Sequence, residues 1–117
     1  MIHCMLPVSK SNEEKAQQNP YLYVDSGLVK LLGEVLSKGG NKKNLVIVAV
    51  GCSNISDANN IFEIGKKNHT IFRKVMWKNG LLIKAEHIGD SVSRTISLNI
   101  ATGEVWLKVS GENIKLA

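Results

Sequence analysis

Apolar residues recur at the spacing of three and four that is typical of amphipathic helices in two parts of the chain. Residues 19–40 form the first, with Asn19-Pro20 as its start signal and Gly39-Gly40 as its end. Residues 64–80 form the second, and Asn79-Gly80 ends it. We therefore predict two helices. Gly65 falls in the first turn of the second helix, where a glycine allows close packing.

Strands are predicted in the remaining apolar stretches. Residues 45–50 form an unbroken, mostly β-branched run, which indicates a central strand covered on both faces. Residues 81–88 alternate weakly between apolar and polar side chains. Residues 95–100 and 105–109 alternate clearly on either side of a turn at residues 101–103, which predicts a hairpin.

The hairpin pattern also predicts which side chains face the core. The inward positions of its first strand are Ile96, Leu98 and Ile100. In the second strand, Val105, Leu107 and Val109 continue the inward pattern. Trp106 is expected on the outward face or under a helix.

The chain begins with a short apolar run that contains a histidine. We predict a strand over residues 2–6, ended by Pro7, with His3 and Met5 on one face and Cys4 on the other. Residues 8–19 are polar and predict an exposed loop.

The predicted order is strand, helix, strand, helix and three strands. It indicates an α/β (α+β) fold, a layered sandwich in which two helices pack on a mixed β-sheet.

Composition and charge narrow the function classes. The 117 residues carry a formal charge of +5, but the basic residues are scattered as pairs and six aromatic residues do not interleave with them. We interpret the positive charge first as a solvated face and second as a surface that attracts an acidic protein partner. We expect no nucleic-acid binding. No apolar run is long enough to cross a membrane, and no signal peptide is evident. Two cysteines without a secretory signal suggest a cytoplasmic protein.

Candidate chemistry lies at two places in the chain. His3 could act as a general acid and base, although a structural or simply exposed histidine is the alternative. Gly51, Cys52 and Ser53 follow the predicted central strand and could form the rim of a site, or a plain strand-to-loop turn. Arg94 could bind a carboxylate, with a surface salt bridge as the alternative.

Other polar residues have structural interpretations. Asn68 could hold a loop near a site by amide hydrogen bonds, and Asp25 serves the start of a helix. His69 and His87 have no cysteine or carboxylate partners at ligand spacing, so we predict no metal site and no cofactor.

Five stretches, in the same order and at matching spacing, resemble motifs of the chemoreceptor glutamine deamidase CheD family of bacterial and archaeal chemotaxis. They are His3-Cys4-Met5-Leu6-Pro7, Tyr23-Val24-Asp25-Ser26-Gly27, Gly51-Cys52-Ser53, Ile64-Gly65-Lys66-Lys67-Asn68, and Gly89–Ile96 with Ala101–Val105. The resemblance implies a fold similar to the deamidating domain of cytotoxic necrotizing factor toxins. It also implies hydrolysis of receptor glutamine side chains to glutamate by a Cys–His pair, with His3 in the histidine's position.

The chain departs from this family in its nucleophile. The family cysteine lies upstream of the histidine in a Gly-Ser-Cys segment, whereas this sequence begins at Met1. We therefore expect residues 1–117 to form a single CheD-like domain that is incomplete at its N terminus and impaired in catalysis. Cys52 is the candidate substitute nucleophile. Lys67 replaces the arginine of the family motif, and lysine lacks the planar fork of arginine.

The resemblance also implies partners for this chain. They are the cytoplasmic domains of chemoreceptors and a CheC-type phosphatase. Whether the chain itself is an enzyme stays open at this point, and the alternative is a non-catalytic interaction module that binds these partners.

Overall fold

The structure, a computed structural model, describes residues 1–54 and 63–117. The chain divides into two compact units. The helical unit comprises Met1–Leu45 and Lys67–Leu81, and the sheet unit comprises Val46–Lys66 and Leu82–Ala117. The mixed α/β composition that the sequence predicts is confirmed, while the single domain and the layered packing stay predictions. Among the described residues, no helix is both long and apolar enough to cross a membrane.

The helical unit contains most of the helical residues. Its helices are α1 (Glu13–Gln18), α2 (Val24–Ser37) and α3 (Ile64–Lys78), the first turn of which belongs to the sheet unit. Short 3-10 helices lie at Ser9–Ser11, Pro20–Leu22 and Lys42–Asn44. The buried side chains of this unit are Ala16, Tyr23, Val24, Phe72, Met76 and Leu81.

Both predicted helices are confirmed as α2 and α3. Asn19-Pro20 begins a 3-10 turn rather than the α-helix itself, because the chain extends at Tyr23 (φ −106°, ψ 140°) before α2 starts at Val24. At the other end, Gly39 has a φ of +97°, a conformation that glycine adopts without steric cost and that stops the helix. The predicted apolar stripe of α2 consists of buried and half-buried side chains.

The exposed loop predicted over residues 8–19 is wrong, because α1 lies within it. The Asn12 side chain accepts a hydrogen bond from the Lys15 backbone N–H and caps the helix, and Glu13 and Glu14 place negative charge in its first turn. Most of α1 is exposed, and Ala16 alone is buried among its residues. Local capping therefore creates a helix in a segment that has no apolar stripe.

The described residues of the sheet unit form two separate sheets. β1 (Val48–Gly51) pairs in parallel with β2 (Ala85–Ile88). β3 (Arg94–Leu98), β4 (Val105–Val109) and β5 (Glu112–Lys115) form an antiparallel sheet in that order.

The predicted mixed β-sheet is therefore wrong as a single hydrogen-bonded sheet. The chain turns sharply after β2, with positive φ at Gly89 (85°) and Asp90 (57°). β3 then joins the ends of β1 and β2 through the Arg94 side chain rather than through a main-chain ladder. The predicted central strand is likewise wrong in its position. Among the described residues, β1 pairs with β2 alone, its residues are half-buried, and Val46 before it is 64% exposed.

The predicted hairpin is confirmed as β3 and β4. Val105, Leu107 and Val109 are buried, Leu107 completely, and Trp106 lies on the outward face. Ile100 was predicted to point inward, which is wrong, since it is 86% exposed. β3 ends at Leu98, and the Asn99 side chain then accepts hydrogen bonds from the Ala101 and Thr102 backbone N–H groups, placing Ile100 in the turn.

The sequence prediction misses β5. Ser110 and Gly111 both have positive φ (51° and 79°), as a tight two-residue hairpin turn requires. This Ser-Gly pair directly after an alternating strand is the signal from which β5 could have been found.

Candidate functional site

His3 lies in an extended segment that is held against the start of α2. Residues 2–6 do not form a strand, so that prediction is wrong, and an isolated bridge joins Leu6 to Tyr23. Backbone hydrogen bonds fix the segment: the Leu6 N–H donates to Leu22 O at 3.0 Å, and the Leu6 carbonyl oxygen accepts from the Val24 N–H at 2.8 Å. The predicted alternation is confirmed, because His3 and Met5 are exposed whereas Cys4 is half-buried.

Cys4 packs on α2 and lies on the face opposite His3, as the predicted alternation requires. A Cβ atom placed on Gly27 of α2 would lie 3.1 Å from Cys4 Sγ, which shows how closely the thiol packs on the helix. Burial, with a smaller contribution from the Asp25 carboxylate, raises the pKa of the Cys4 thiol. Cys4 is therefore a small packing residue that favours the unreactive thiol form.

Asn68 ties α3 to the His3 segment. Its Nδ2 donates to Met5 O at 3.2 Å, two residues beyond His3. Its Oδ1 is buried and accepts no hydrogen bond from residues 1–54 or 63–117. The predicted role of Asn68, holding a loop near the candidate site by an amide hydrogen bond, matches this contact.

Asp25 anchors the segment that follows Pro7. Its carboxylate accepts hydrogen bonds from the Ser9 backbone N–H (2.9 Å), the Ser9 hydroxyl (3.0 Å) and the Ser26 N–H (2.7 Å). The role expected of Asp25 at the helix start therefore extends to a residue 16 positions earlier. Nothing in the local sequence around Asp25 indicated Ser9 as its partner.

The Gly51-Cys52-Ser53 turn lies in the sheet unit, at the carboxyl end of β1. Gly51 and Cys52 both have positive φ (111° and 53°), which is uncommon for a residue with a side chain such as Cys52. The first turn of α3 packs directly on this turn. A Cβ atom on Gly65 would collide with the Cys52 carbonyl oxygen and lie 2.8 Å from Ser53 O. The close packing expected at Gly65 is therefore confirmed.

The Arg94 side chain forms hydrogen bonds at the ends of the two parallel strands. Its Nη2 donates to Gly89 O at 2.8 Å, its Nη1 to Gly51 O at 3.3 Å, and its Nε to His87 Nδ1 at 2.8 Å. The half-buried guanidinium therefore binds its own chain, and neither of the expected roles, a carboxylate site or a surface salt bridge, describes these contacts. His87 and Gly89 belong to this cluster although sequence reasoning gave them no part in a site.

The environment of Cys52 does not favour a thiolate. Burial raises the pKa of the thiol, the Arg94 charge opposes that shift, and the Glu86 carboxylate adds to it, with burial the largest of the three. A cysteine of this kind is mostly protonated at neutral pH and is a weak nucleophile.

The predicted site residues thus fall into two groups. His3 and Asn68 belong to the helical unit, and Gly51, Cys52, Ser53 and Arg94 belong to the sheet unit. The pairing of His3 with Cys52 stays a prediction. Within residues 1–54 and 63–117, no three His, Cys, Asp or Glu side chains are grouped so that they could hold a metal ion.

Comparison with known proteins identifies the family. Residues 5–109 match the family described as "CheD chemotactic sensory transduction". A "Probable chemoreceptor glutamine deamidase CheD" of Solibacter usitatus is 37% identical over 116 residues, which are 99% of this chain and 69% of that protein.

Similar proteins occur in other bacteria and in an archaeon. "Probable chemoreceptor glutamine deamidase CheD 1" of Syntrophus aciditrophicus is 39% identical over 95% of this chain and 69% of its own length. A protein with the same name as the first, from Methanococcus maripaludis strain C5, is 31% identical over 96% of this chain and 71% of its own length. The order of the sequence motifs and the extent of these matches agree. The chain belongs to the CheD family.

Proposed function

We propose that this protein is a CheD-type chemotaxis protein that binds the cytoplasmic domains of chemoreceptors. The observation that carries the proposal is the 37% identity over 99% of the chain with a relative named as a chemoreceptor glutamine deamidase. The family reaction hydrolyses the side-chain amide of a glutamine to a carboxylate and releases ammonia. We also propose the cysteine-hydrolase fold of cytotoxic necrotizing factor toxins and a cytoplasmic location.

In this reaction His3 acts as the general acid and general base. A thiolate attacks the amide carbon, and the imidazolium then protonates the leaving nitrogen, so that ammonia departs and a thioester remains. Water, deprotonated by the imidazole, cleaves the thioester and frees the thiol. The exposure of His3 and the backbone hydrogen bonds that fix its segment support this role.

Neither cysteine among the 117 residues is activated to act as the nucleophilic thiolate of this mechanism. The sequence contains two cysteines and no Gly-Ser-Cys segment, and burial raises the pKa of both thiols. Cys52 is the better substitute, because Cys4 packs against α2 on the side away from His3. A polypeptide of these 117 residues therefore has little or no deamidase activity alone.

A second candidate function is a non-catalytic interaction module. The raised pKa of both thiols favours it, since binding needs no thiolate. Such a module binds chemoreceptor cytoplasmic domains or a CheC-type phosphatase and competes with active members of the family for them.

Intact mass spectrometry of a receptor cytoplasmic fragment tests both candidates. Each converted glutamine adds about one dalton, because a hydroxyl group replaces an amino group. We expect no mass gain with the 117-residue polypeptide, and co-purification of the polypeptide with the fragment.

Two variants distinguish the outcomes of this experiment. Turnover that both His3→Ala and Cys52→Ala abolish would show an intact Cys–His pair and contradict the proposed loss of activity. Absence of both turnover and binding to receptor fragments or a CheC-type phosphatase would contradict the CheD-type function in this polypeptide.

A further inference from the structure

The outward face of α3 carries a set of exposed cations around an exposed tryptophan. Its members are Lys67, Arg73, Lys74, Trp77 and Lys78, all exposed and all in the helical unit, and we name this set the basic α3 face. α3 contains no acidic residue. The opposite side of the helix buries Phe72 and Met76, so the basic α3 face is presented from a firmly packed helix.

Trp77 is the unusual member of this face. It is 84% exposed, whereas Trp106, the other tryptophan of the chain, is 41% exposed and donates a hydrogen bond to Glu104 Oε2. A large exposed aromatic side chain leaves apolar area in water that a partner could cover. Tryptophan is also among the residues that contribute most to binding energy in protein interfaces.

The charges of this face are not neutralised by the part of the chain that the structure describes. Within residues 1–54 and 63–117, none of its four cations forms an ion pair with a carboxylate. On a helix, residues three and four apart are neighbours, so Arg73, Lys74, Trp77 and Lys78 form one continuous surface. A cluster of like charges lowers its electrostatic free energy when an oppositely charged surface binds to it.

We propose that the basic α3 face is a docking surface for an acidic, amphipathic segment of a protein partner. Carboxylates of that segment pair with Arg73, Lys74 and Lys78, and an apolar side chain packs on the Trp77 ring. One exposed aromatic residue is too few for the stacking platform of a single-stranded nucleic-acid site. A membrane-surface helix needs a wide apolar face, whereas Trp77 is the only apolar residue exposed on α3.

Fluorescence titration with a synthetic acidic helix tests the proposal. The probe is a peptide of about 20 residues with leucines on one helical face and glutamates on the other, the pattern of helix recognition in a groove or on a helix face. A Trp106→Phe background makes Trp77 the sole tryptophan. We expect saturable binding at physiological salt with a blue shift of Trp77 emission, because the peptide removes water from the indole.

Paired charge reversals localise the binding. Lys74→Glu/Lys78→Glu and Trp77→Ala should each weaken peptide binding by at least about tenfold, the latter measured by anisotropy of a labelled peptide. Lys42→Glu/Lys43→Glu makes the same change in net charge at an exposed site outside α3 and should alter the affinity by less than about twofold. Circular dichroism verifies that each variant is folded.

Three results would overturn the proposal. The first is no binding or no change in Trp77 emission. The second is an equal loss of affinity in both charge reversals, which would indicate attraction by net charge alone. The third is tighter binding to phosphatidylserine vesicles or duplex DNA than to the peptide, which would assign the face to a different class of partner.

Discussion

The Arg94 guanidinium donates hydrogen bonds to acceptors of its own chain. Gly51 O, Gly89 O and His87 Nδ1 take one hydrogen bond each from its guanidinium. At this residue the planar, forked geometry of arginine matters, since lysine presents a single point charge. We infer that Arg94 fixes the turn that carries Cys52 rather than binding a partner carboxylate.

Replacing Arg94 by lysine should therefore destabilise the protein. We expect Arg94→Lys to lower the free energy of unfolding by about 1–3 kcal/mol, because half-buried acceptors lose their donors. Urea denaturation measures this change. Arg73→Lys, on the exposed face of α3, is the matched control and should stay within about 0.5 kcal/mol of the parent. Equal stability of the two variants would argue against the fastening role of Arg94.

Glu104 provides a prediction about pH. The hydrogen bond from Trp106 Nε1, followed by the Lys115 charge, lowers the pKa of its carboxyl from 4.5. The pKa of Glu104 is therefore lower in the folded state than in the unfolded state. The ionised Glu104 carboxylate contributes stability above about pH 4.5, and this stability is lost as the pH falls through the folded-state pKa.

Trp106→Phe should raise the pKa of Glu104 toward its ordinary value, which NMR titration of the carboxyl carbon measures. Lys108→Met, which removes a cation that the structure does not place in contact with Glu104, is the control. An unchanged midpoint in Trp106→Phe would show that the indole hydrogen bond does not set this pKa.

At the scale of secondary-structure elements, two helical glycines differ in how closely their surroundings pack on them. A Cβ atom on Gly65 would strike the Cys52 carbonyl oxygen, whereas one on Gly33 in α2 would have no atom of the described residues within 4 Å. We expect Gly65→Ala to destabilise the protein by about 1–3 kcal/mol through overpacking. Gly33→Ala should stabilise it by about 0.4–1 kcal/mol, since alanine loses less conformational entropy in a helix.

Thermal and urea unfolding of both alanine variants tests this pair. Stabilisation by Gly65→Ala would mean that the first turn of α3 does not press on the Cys52 turn. Destabilisation by Gly33→Ala would contradict the open surroundings of that position.

Elements with a repeating apolar pattern were predictable, and elements created by a cap or a turn were not. α2, α3 and the β3–β4 hairpin follow from periodicity, because burial of one face determines them. α1 depends instead on the Asn12 cap, and β5 on the positive φ values at Ser110 and Gly111. The apolar run over residues 45–50, which overlaps β1, indicated a strand correctly, but a run of this kind does not determine how many strands pair with it.

At the scale of the whole molecule, the family was easier to identify from the sequence than the contacts of the candidate site were to predict. Ordered motifs from His3 to Val105 indicated the CheD family, which the comparisons confirm. The contacts of Arg94 could not be predicted, because its acceptors lie 5, 7 and 43 residues away and are two backbone carbonyls and an imidazole nitrogen. Local sequence carries no signal for such contacts.

We propose that His3 is the acid–base residue of a thiol amidase and that neither Cys4 nor Cys52 is an activated thiol. Alkylation by iodoacetamide as a function of pH, with each cysteine resolved by peptide mass, measures this without a receptor. Both thiols should titrate above the ordinary value of 9.0, and His3→Ala should leave both profiles unchanged. Alkylation of Cys52 with a midpoint well below 9.0, shifted upward by His3→Ala, would contradict the account.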